Sequence, residues 1–198
     1  MIYHYTKGYT LGSIFSDGFI ATERKRGLSR IRKNTDFVWL TAQQRFPKTA
    51  LPNISSIPSS NLALHTSIRG LVVDYDAIAA ECEGLFRFGF SSEDKRFKRW
   101  WHSDERKQML NNTEWRSMES LANKVGDEVR QFWISTDDVW LCDYTLERFE
   151  NGQWTTLIDT LNYGGANDST YIVDTLCGNA ERWTRRYGFE QDSFKLAA

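Results

Sequence analysis

Cysteine and histidine are both scarce in this chain: Cys82, Cys142 and Cys177 lie far apart, and the histidines are His4, His65 and His102 alone. No CxxC or His/Cys spacing occurs among them, so a zinc module or a histidine-rich metal centre lacks the ligands it would need. Scattered thiols in odd number read as buried free cysteines of a reducing compartment. Proline is confined to Pro47, Pro52 and Pro58, and with serines at 55, 56, 59 and 60 it marks that stretch as a long surface excursion. No run approaches the roughly 20 apolar residues that span a bilayer, and MIYHYTKGY has no basic segment followed by a long apolar one, which leads us to expect a cytoplasmic protein. The phosphate loop GxxxxGK[ST], a GxGxxG turn, a GxSxG elbow and an HExxH helix are all missing, and the common nucleoside-triphosphatase, Rossmann and hydrolase chemistries go with them.

What is present is an ordinary globular composition: 198 residues, 40% hydrophobic, 14% aromatic and 26% charged. That length suits one large core, and residues 1–194 are expected to form one domain, with 195–198 a remnant of cloning. The formal net charge of −1 conceals local asymmetry. Arg24, Lys25, Arg26, Arg30, Arg32 and Lys33 form a basic stretch without an acid. Lys95, Arg96, Lys98 and Arg99 are interleaved with Phe97, Trp100 and Trp101, and Arg182, Arg185 and Arg186 flank Trp183 and Tyr187. Cations beside planar aromatics suit a polyanion whose bases stack, and they equally describe a solvated basic surface.

Local patterns predict an α+β fold. Ile2 to Thr6 has strand composition; Leu11, Ile14 and Phe15 have helical spacing, ended by Gly18 as a left-handed cap. Phe37 to Thr41, Gly70 to Tyr75 and Leu85 to Phe90 read as strands, the last with Arg87 among aromatics. Trp115, Met118, Leu121, Ala122 and Val125 describe an amphipathic helix with Gly126 as its cap. Val129 to Ser135 reads as extended, and Asn151-Gly152 joins Tyr144 to Phe149 with Trp154 to Ile158 in a tight hairpin.

The segment IYHYTKGYTLGSIFSDGFI resembles the first strand and helix of the DarT-like and RNA 2′-phosphotransferase-like branch of the ADP-ribosyltransferase superfamily, where a His-x-Thr strand end precedes a short helix and a glycine. VWLTAQQRFPKTA is similar to the second NAD-binding strand of such proteins. The resemblance is carried by residues up to Ala50 and beyond them only by the order of elements. It implies a split β-sheet core with a few packed helices, NAD as substrate and no metal. It assigns His4 to the NAD ribose with Thr6 beside it and Tyr5 on the opposite face of the strand. Trp39 and Thr41 then line the nicotinamide side by stacking and hydrogen bonding. Arg87 suits a pyrophosphate, and equally a structural salt bridge.

The branch carries a glutamate late in the sheet, where this chain has Gln131, a residue that can orient but cannot act as a base. Glu119 and Glu128 are the nearby carboxylates. Glu119 is favoured, because Trp115 and Met118 could supply an apolar setting that raises its pKa. The implied function is transfer of ADP-ribose from NAD to DNA or RNA in a toxin or phage-defence setting, opposed by a cognate antitoxin or inhibitor protein. Trp100 and Trp101 are the expected stacking platforms and Arg99 a phosphate contact. Water or protein as acceptor, and a non-enzymatic nucleic-acid-binding module, are the alternatives.

Overall fold

A computed structural model describes residues 1–22, 37–50, 73–109, 119–120 and 122–161. The elements run β1 (Ile2–Lys7), α1 (Gly8–Asp17), β2 (Phe19–Ile20), β3 (Val38–Thr41), α2 (Tyr75–Glu81), β4 (Leu85–Phe90), β5 (Lys98–Arg99), α3 (Asp104–Met109), β6 (Phe132–Ser135), β7 (Val139–Trp140), β8 (Thr145–Glu150) and β9 (Gln153–Asp159). Seven strands form one sheet in the order β5-β6-β3-β1-β4-β8-β9, and β2 pairs with β7 beside it. The pairings are antiparallel, so the protein is α+β with a mainly antiparallel sheet and a few helices. No helix among the described residues is long and apolar enough to cross a membrane.

Strand alternation sorts the side chains of the sheet into two layers. On one face, Ile2, Val38, Leu40, Phe86, Phe88, Phe90 and Leu146 pack with Leu11 and Ile14 of α1. Each phenylalanine buried there is worth ~1.5–3 kcal/mol relative to exposure. The other face carries two separate apolar groups. Tyr3, Tyr5 and Leu85 pack with Phe46 and with Ile78 and Cys82 of α2. Phe37, Trp100, Met109, Ala122, Val129 and Ile134 form the second group, with Trp39 and Phe132 against it. β1 and β4 register along their whole length, from Ile2 opposite Phe90 to Lys7 opposite Leu85, whereas β1 meets β3 at Tyr3 opposite Thr41.

Several expectations hold. α1 ends at Gly18 with φ of 73° and a bond from its N–H to Ile14 O of 3.0 Å. The helix at 119–120 and 122–125 ends at Gly126, whose N–H donates to Asn123 O at 3.2 Å while Asp127 N–H donates to Ala122 O at 2.8 Å. That bond pair is the Schellman arrangement, with glycine at φ +84°. Asn151 and Gly152, both at positive φ, join β8 to β9.

Two expectations need correction. Tyr75 does not extend a strand from Gly70 but opens α2, because the Asp74 carboxylate accepts from Ala77 N–H at 3.0 Å and caps a helix. Val129–Gln131 is a 3-10 turn, and β6 begins only at Phe132. Residues 70–72, Trp115, Met118, Leu121 and Cys177 lie outside the described residues, as does the cluster from Arg182 to Tyr187.

The junction between β1 and α1 depends on a close approach. Gly8 N–H donates to Gly84 O at 2.9 Å, and a Cβ on Gly8 would stand 2.1 Å from the Glu83 carbonyl oxygen. Because the obstacle is backbone, Gly8→Ala is expected to cost about 3 kcal/mol or more, read as a lowered urea midpoint with an unchanged slope.

Candidate nucleotide-binding cleft

A cavity of about 270 Å³ opens at the junction of β1 and β3, lined mainly by the two apolar groups of the second face and reaching Ala21, Val38 and Leu40 as well. Tyr3, Tyr5 and Ala50 line it from one group and Phe37, Trp39, Trp100, Ala122, Val129 and Phe132 from the other; His4, Thr41, Pro47, Thr49 and Glu119 complete the part that concerns chemistry. The cleft therefore sits where β1 and β3 meet. His4, Tyr5, Trp39, Thr41 and Glu119 are brought together there from three separate stretches of chain.

His4 is half-buried, and its Nδ1 lies 2.9 Å from the Trp39 carbonyl oxygen. A carbonyl only accepts, so Nδ1 carries the hydrogen, and in the neutral ring Nε2 is then the acceptor nitrogen. This bond ties β1 to β3 next to the registered pair. Tyr5 donates from its hydroxyl to Gln43 O at 2.5 Å, and Thr41 Oγ accepts from Gln43 N–H at 3.1 Å, so one residue after β3 holds two lining side chains.

Thr6 does not join them. It is buried at the end of β1, where its hydroxyl donates to Thr10 Oγ at 2.5 Å while Thr10 donates to Lys7 O at 2.7 Å. With Thr10's hydrogen used on the carbonyl, Thr6 must be the donor, and the pair braces the start of α1.

Arg87 is also committed elsewhere. It is 5% exposed, ion-paired through Nε with Glu147, and donates from Nη1 to Gln44 O at 2.7 Å. Its guanidinium stands 4.0 Å from the Tyr3 ring centre and 4.4 Å from that of Trp154. Buried, paired and stacked, it is a core cation, and the salt-bridge alternative describes it rather than a pyrophosphate contact.

Of the three polar residues weighed as the catalytic group, Glu119 alone lines the cleft. Its Oε1 accepts from Trp100 Nε1 at 2.9 Å and Arg106 Nε at 2.8 Å, and its Oε2 accepts from Arg106 Nη2 at 3.0 Å. Burial alone would push this carboxyl up; the bonds from Arg106 and Trp100, with the charge of Arg106, outweigh it and hold the group below the usual carboxylate range. The expected rise in its pKa is thus reversed by a bidentate guanidinium. Gln131 and Glu128 bond to each other on the 3-10 turn, with Glu128 exposed, and neither lines the cleft.

The aromatic platforms need revision too. Trp100 is 1% exposed, so it forms a wall of the cleft and not an outer stacking surface. Trp101 is half-buried, with the Arg106 guanidinium 3.8 Å and that of Arg130 5.2 Å from its ring centre. Arg99 is exposed and lies over Trp133, 5.2 Å from its ring centre, on the opposite face of the sheet from the cleft. Arg96 pairs with Asp94 at 2.6 Å and Lys98 with Glu105, so half the cations of this segment are neutralised within the fold. Arg24, Lys25, Arg26, Arg30, Arg32 and Lys33 lie outside the described residues.

Sequence reasoning missed Asp127. It is 2% exposed, and its carboxylate accepts from Lys48 N–H at 3.1 Å, Thr49 N–H at 2.8 Å and Thr49 Oγ at 2.7 Å. Arg45 adds a bond to Gly126 O at 2.6 Å. The end of the helix that carries Glu119 and Ala122 is thereby tied to Pro47, Thr49 and Ala50 on the facing wall. An aspartate directly after the capping glycine was the available signal. Comparison of the chain with protein-family models, curated proteins and solved structures returned no match.

Burial pushes the Tyr5 phenol up to about 12, against the lowering influence of Arg87. A raised pKa means that the neutral phenol stabilises the fold fully below the ordinary value of 10 and that this contribution is lost as pH rises towards 12. Tyr75 and Tyr144 are pushed up by burial as well. Stability is therefore expected to fall above pH 10, and Tyr5→Phe should flatten that fall while lowering stability at neutral pH by about 1 kcal/mol for the lost bond to Gln43. Urea midpoints measured across that range check both parts.

Proposed function

We propose that the cleft receives the nicotinamide end of oxidised NAD and that the protein transfers ADP-ribose from NAD to a nucleic acid. The observation that carries this reading is the make-up of the wall. Six aromatic rings, Tyr3, Tyr5, Phe37, Trp39, Trp100 and Phe132, stand with one carboxylate, Glu119, and no lysine or arginine among the described lining residues. A pyridinium ring is flat and positively charged, and π faces with a carboxylate attract such a ring, whereas a phosphate finds no cation there. The volume, near the lower end for ligand pockets, suits a ring and its sugar more than a whole dinucleotide.

The chemistry asks for positioning and charge stabilisation. The bond between ribose C1′ and the pyridinium nitrogen breaks, and nicotinamide leaves neutral with the bonding pair. Positive charge develops on C1′ and the ring oxygen, and an acceptor nucleophile bonds to C1′ and gives up its proton to solvent water. A carboxylate held ionised by Arg106 and Trp100 is suited to facing that charge, though not to taking the proton. His4, oriented by the Trp39 carbonyl, is the group this reading assigns to the ribose. A nucleic-acid acceptor is favoured by the basic stretch from Arg24 to Lys33, which the sequence leaves without acids. A toxin or phage-defence setting with a cognate antitoxin belongs to the same proposal.

A second reading is favoured by one observation. Both oxygens of Glu119 are bonded, and Gln131 and Glu128 stand away from the cleft, so no described lining carboxylate is placed as a base. That arrangement suits a nucleotide-binding module that does not turn NAD over.

Labelled NAD incubated with DNA, with RNA and with lysate protein separates these readings. Label is expected on nucleic acid, abolished in His4→Ala and reduced about 10- to 100-fold in Glu119→Gln through lost transition-state stabilisation. Nicotinamide release without polymer would move the acceptor to water, label on protein would move it to protein, and NAD left intact in every mixture would leave only the binding module.

A further inference from the structure

A dinucleotide carries two phosphate charges, and the described residues lining the cleft offer no cation to meet them. Arg87 is held in the core by Glu147, Tyr3 and Trp154. We propose that Arg130, with Trp101 and Arg106, forms an anion subsite beside the cleft that takes a phosphate group. Its assignment to the pyrophosphate of NAD rests on the function proposed above.

Three observations place the subsite. The 3-10 turn Val129–Gln131 has about three residues per turn, so Val129, 3% exposed, faces inward as part of the cleft wall while Arg130 beside it is exposed. A continuous path of contacts then leads back to the cleft: Arg130 lies over the Trp101 ring, Arg106 lies over the same ring, and Arg106 holds Glu119 in the wall. Finally, ion pairing accounts for the neighbouring cations, Lys98 with Glu105, Lys107 with Asp104 and Arg106 with Glu119. Arg130 forms no ion pair among the described residues, and the indole is its described partner.

The electrostatics follow from that inventory. Two guanidiniums converge on one indole, Glu119 neutralises that of Arg106, and Glu128 beside the turn bonds Gln131 and forms no ion pair with Arg130 among the described residues, which leaves the Arg130 guanidinium one residue from the cleft wall. A guanidinium attracted to an indole face is restrained beside it, and its N–H groups supply the fork that matches phosphate oxygens. A side chain restrained in this way loses less freedom when it binds than a free surface arginine does. The two ends of the dinucleotide are thereby sorted by charge, with the cationic ring among aromatics and carboxylate and the anionic linkage on Arg130.

Calorimetric titration of the full chain with nicotinamide, with ADP-ribose and with inorganic pyrophosphate, each alone, tests the proposal. Arg130→Ala is expected to weaken ADP-ribose and pyrophosphate about tenfold and to leave nicotinamide binding unchanged, with Arg130→Lys recovering part of the loss as a point charge without the fork. Because Arg130 is exposed, the variant should unfold at the wild-type urea midpoint. ADP-ribose binding that is equal in wild type and Arg130→Ala overturns the subsite. Pyrophosphate and ADP-ribose binding that depends on Arg130, with no binding of nicotinamide, supports the subsite and sinks the nicotinamide assignment. No binding of any of the three overturns both.

Discussion

The meeting of β1 with β3 is the constraint from which the cleft derives. Tyr3 opposite Thr41 fixes the two strands, and the bond from His4 Nδ1 to the Trp39 carbonyl adds a side-chain tie beside it. On one face the apolar side chains run continuously across this seam, from Val38 and Leu40 to Ile2 and Phe86. On the other face they fall into two groups, around Tyr5 and around Trp100, and the cavity lies between these groups and reaches His4, Val38 and Leu40 at the seam. A single sheet thus has a packed side that supplies stability and a divided side that supplies a site.

The walls of the divided side are held by polar contacts, some to backbone and some between side chains, which fits the separation of its two apolar groups. Tyr5 and Thr41 are fixed by the main chain of Gln43, and Pro47, Thr49 and Ala50 are tied through Asp127 to the helix end. Glu119 is fixed by Trp100 and Arg106, whose guanidinium in turn rests on Trp101. Such groups are costly to bury unless bonded, and the walls meet that requirement locally without help from a continuous core.

Those parts of the fold decided by neighbouring residues were legible in the sequence. Gly18, Gly126 and Asn151-Gly152 each stop or turn the chain through a backbone conformation that few other residues adopt, and each does so where expected. The start of α2 is hidden in the sequence because Asp74 and Tyr75 follow an apolar run and read as its continuation in a strand, although an aspartate three residues before Ala77 is also a helix cap. Roles set by long-range register were illegible. Arg87 faces Glu147 only because β4 and β8 align that pair, and nothing near Arg87 announces it. Trp100 and Trp101 are adjacent in an aromatic, basic stretch, yet one is sealed in the wall and the other stacked by arginines, a difference made by Glu119 and Arg130 far along the chain.

The grip of Asp127 on the facing wall is tolerant of substitution in one respect and intolerant in another. Two of its three bonds go to peptide N–H groups, those of Lys48 and Thr49, which every residue except proline possesses. A proline at 48 or 49, or loss of the carboxylate itself, would release the wall, whereas other replacements at 48 keep the peptide N–H that Asp127 holds. The geometry here therefore asks for one acid, a hydroxyl at 49 and the absence of an imino acid at 48 and 49.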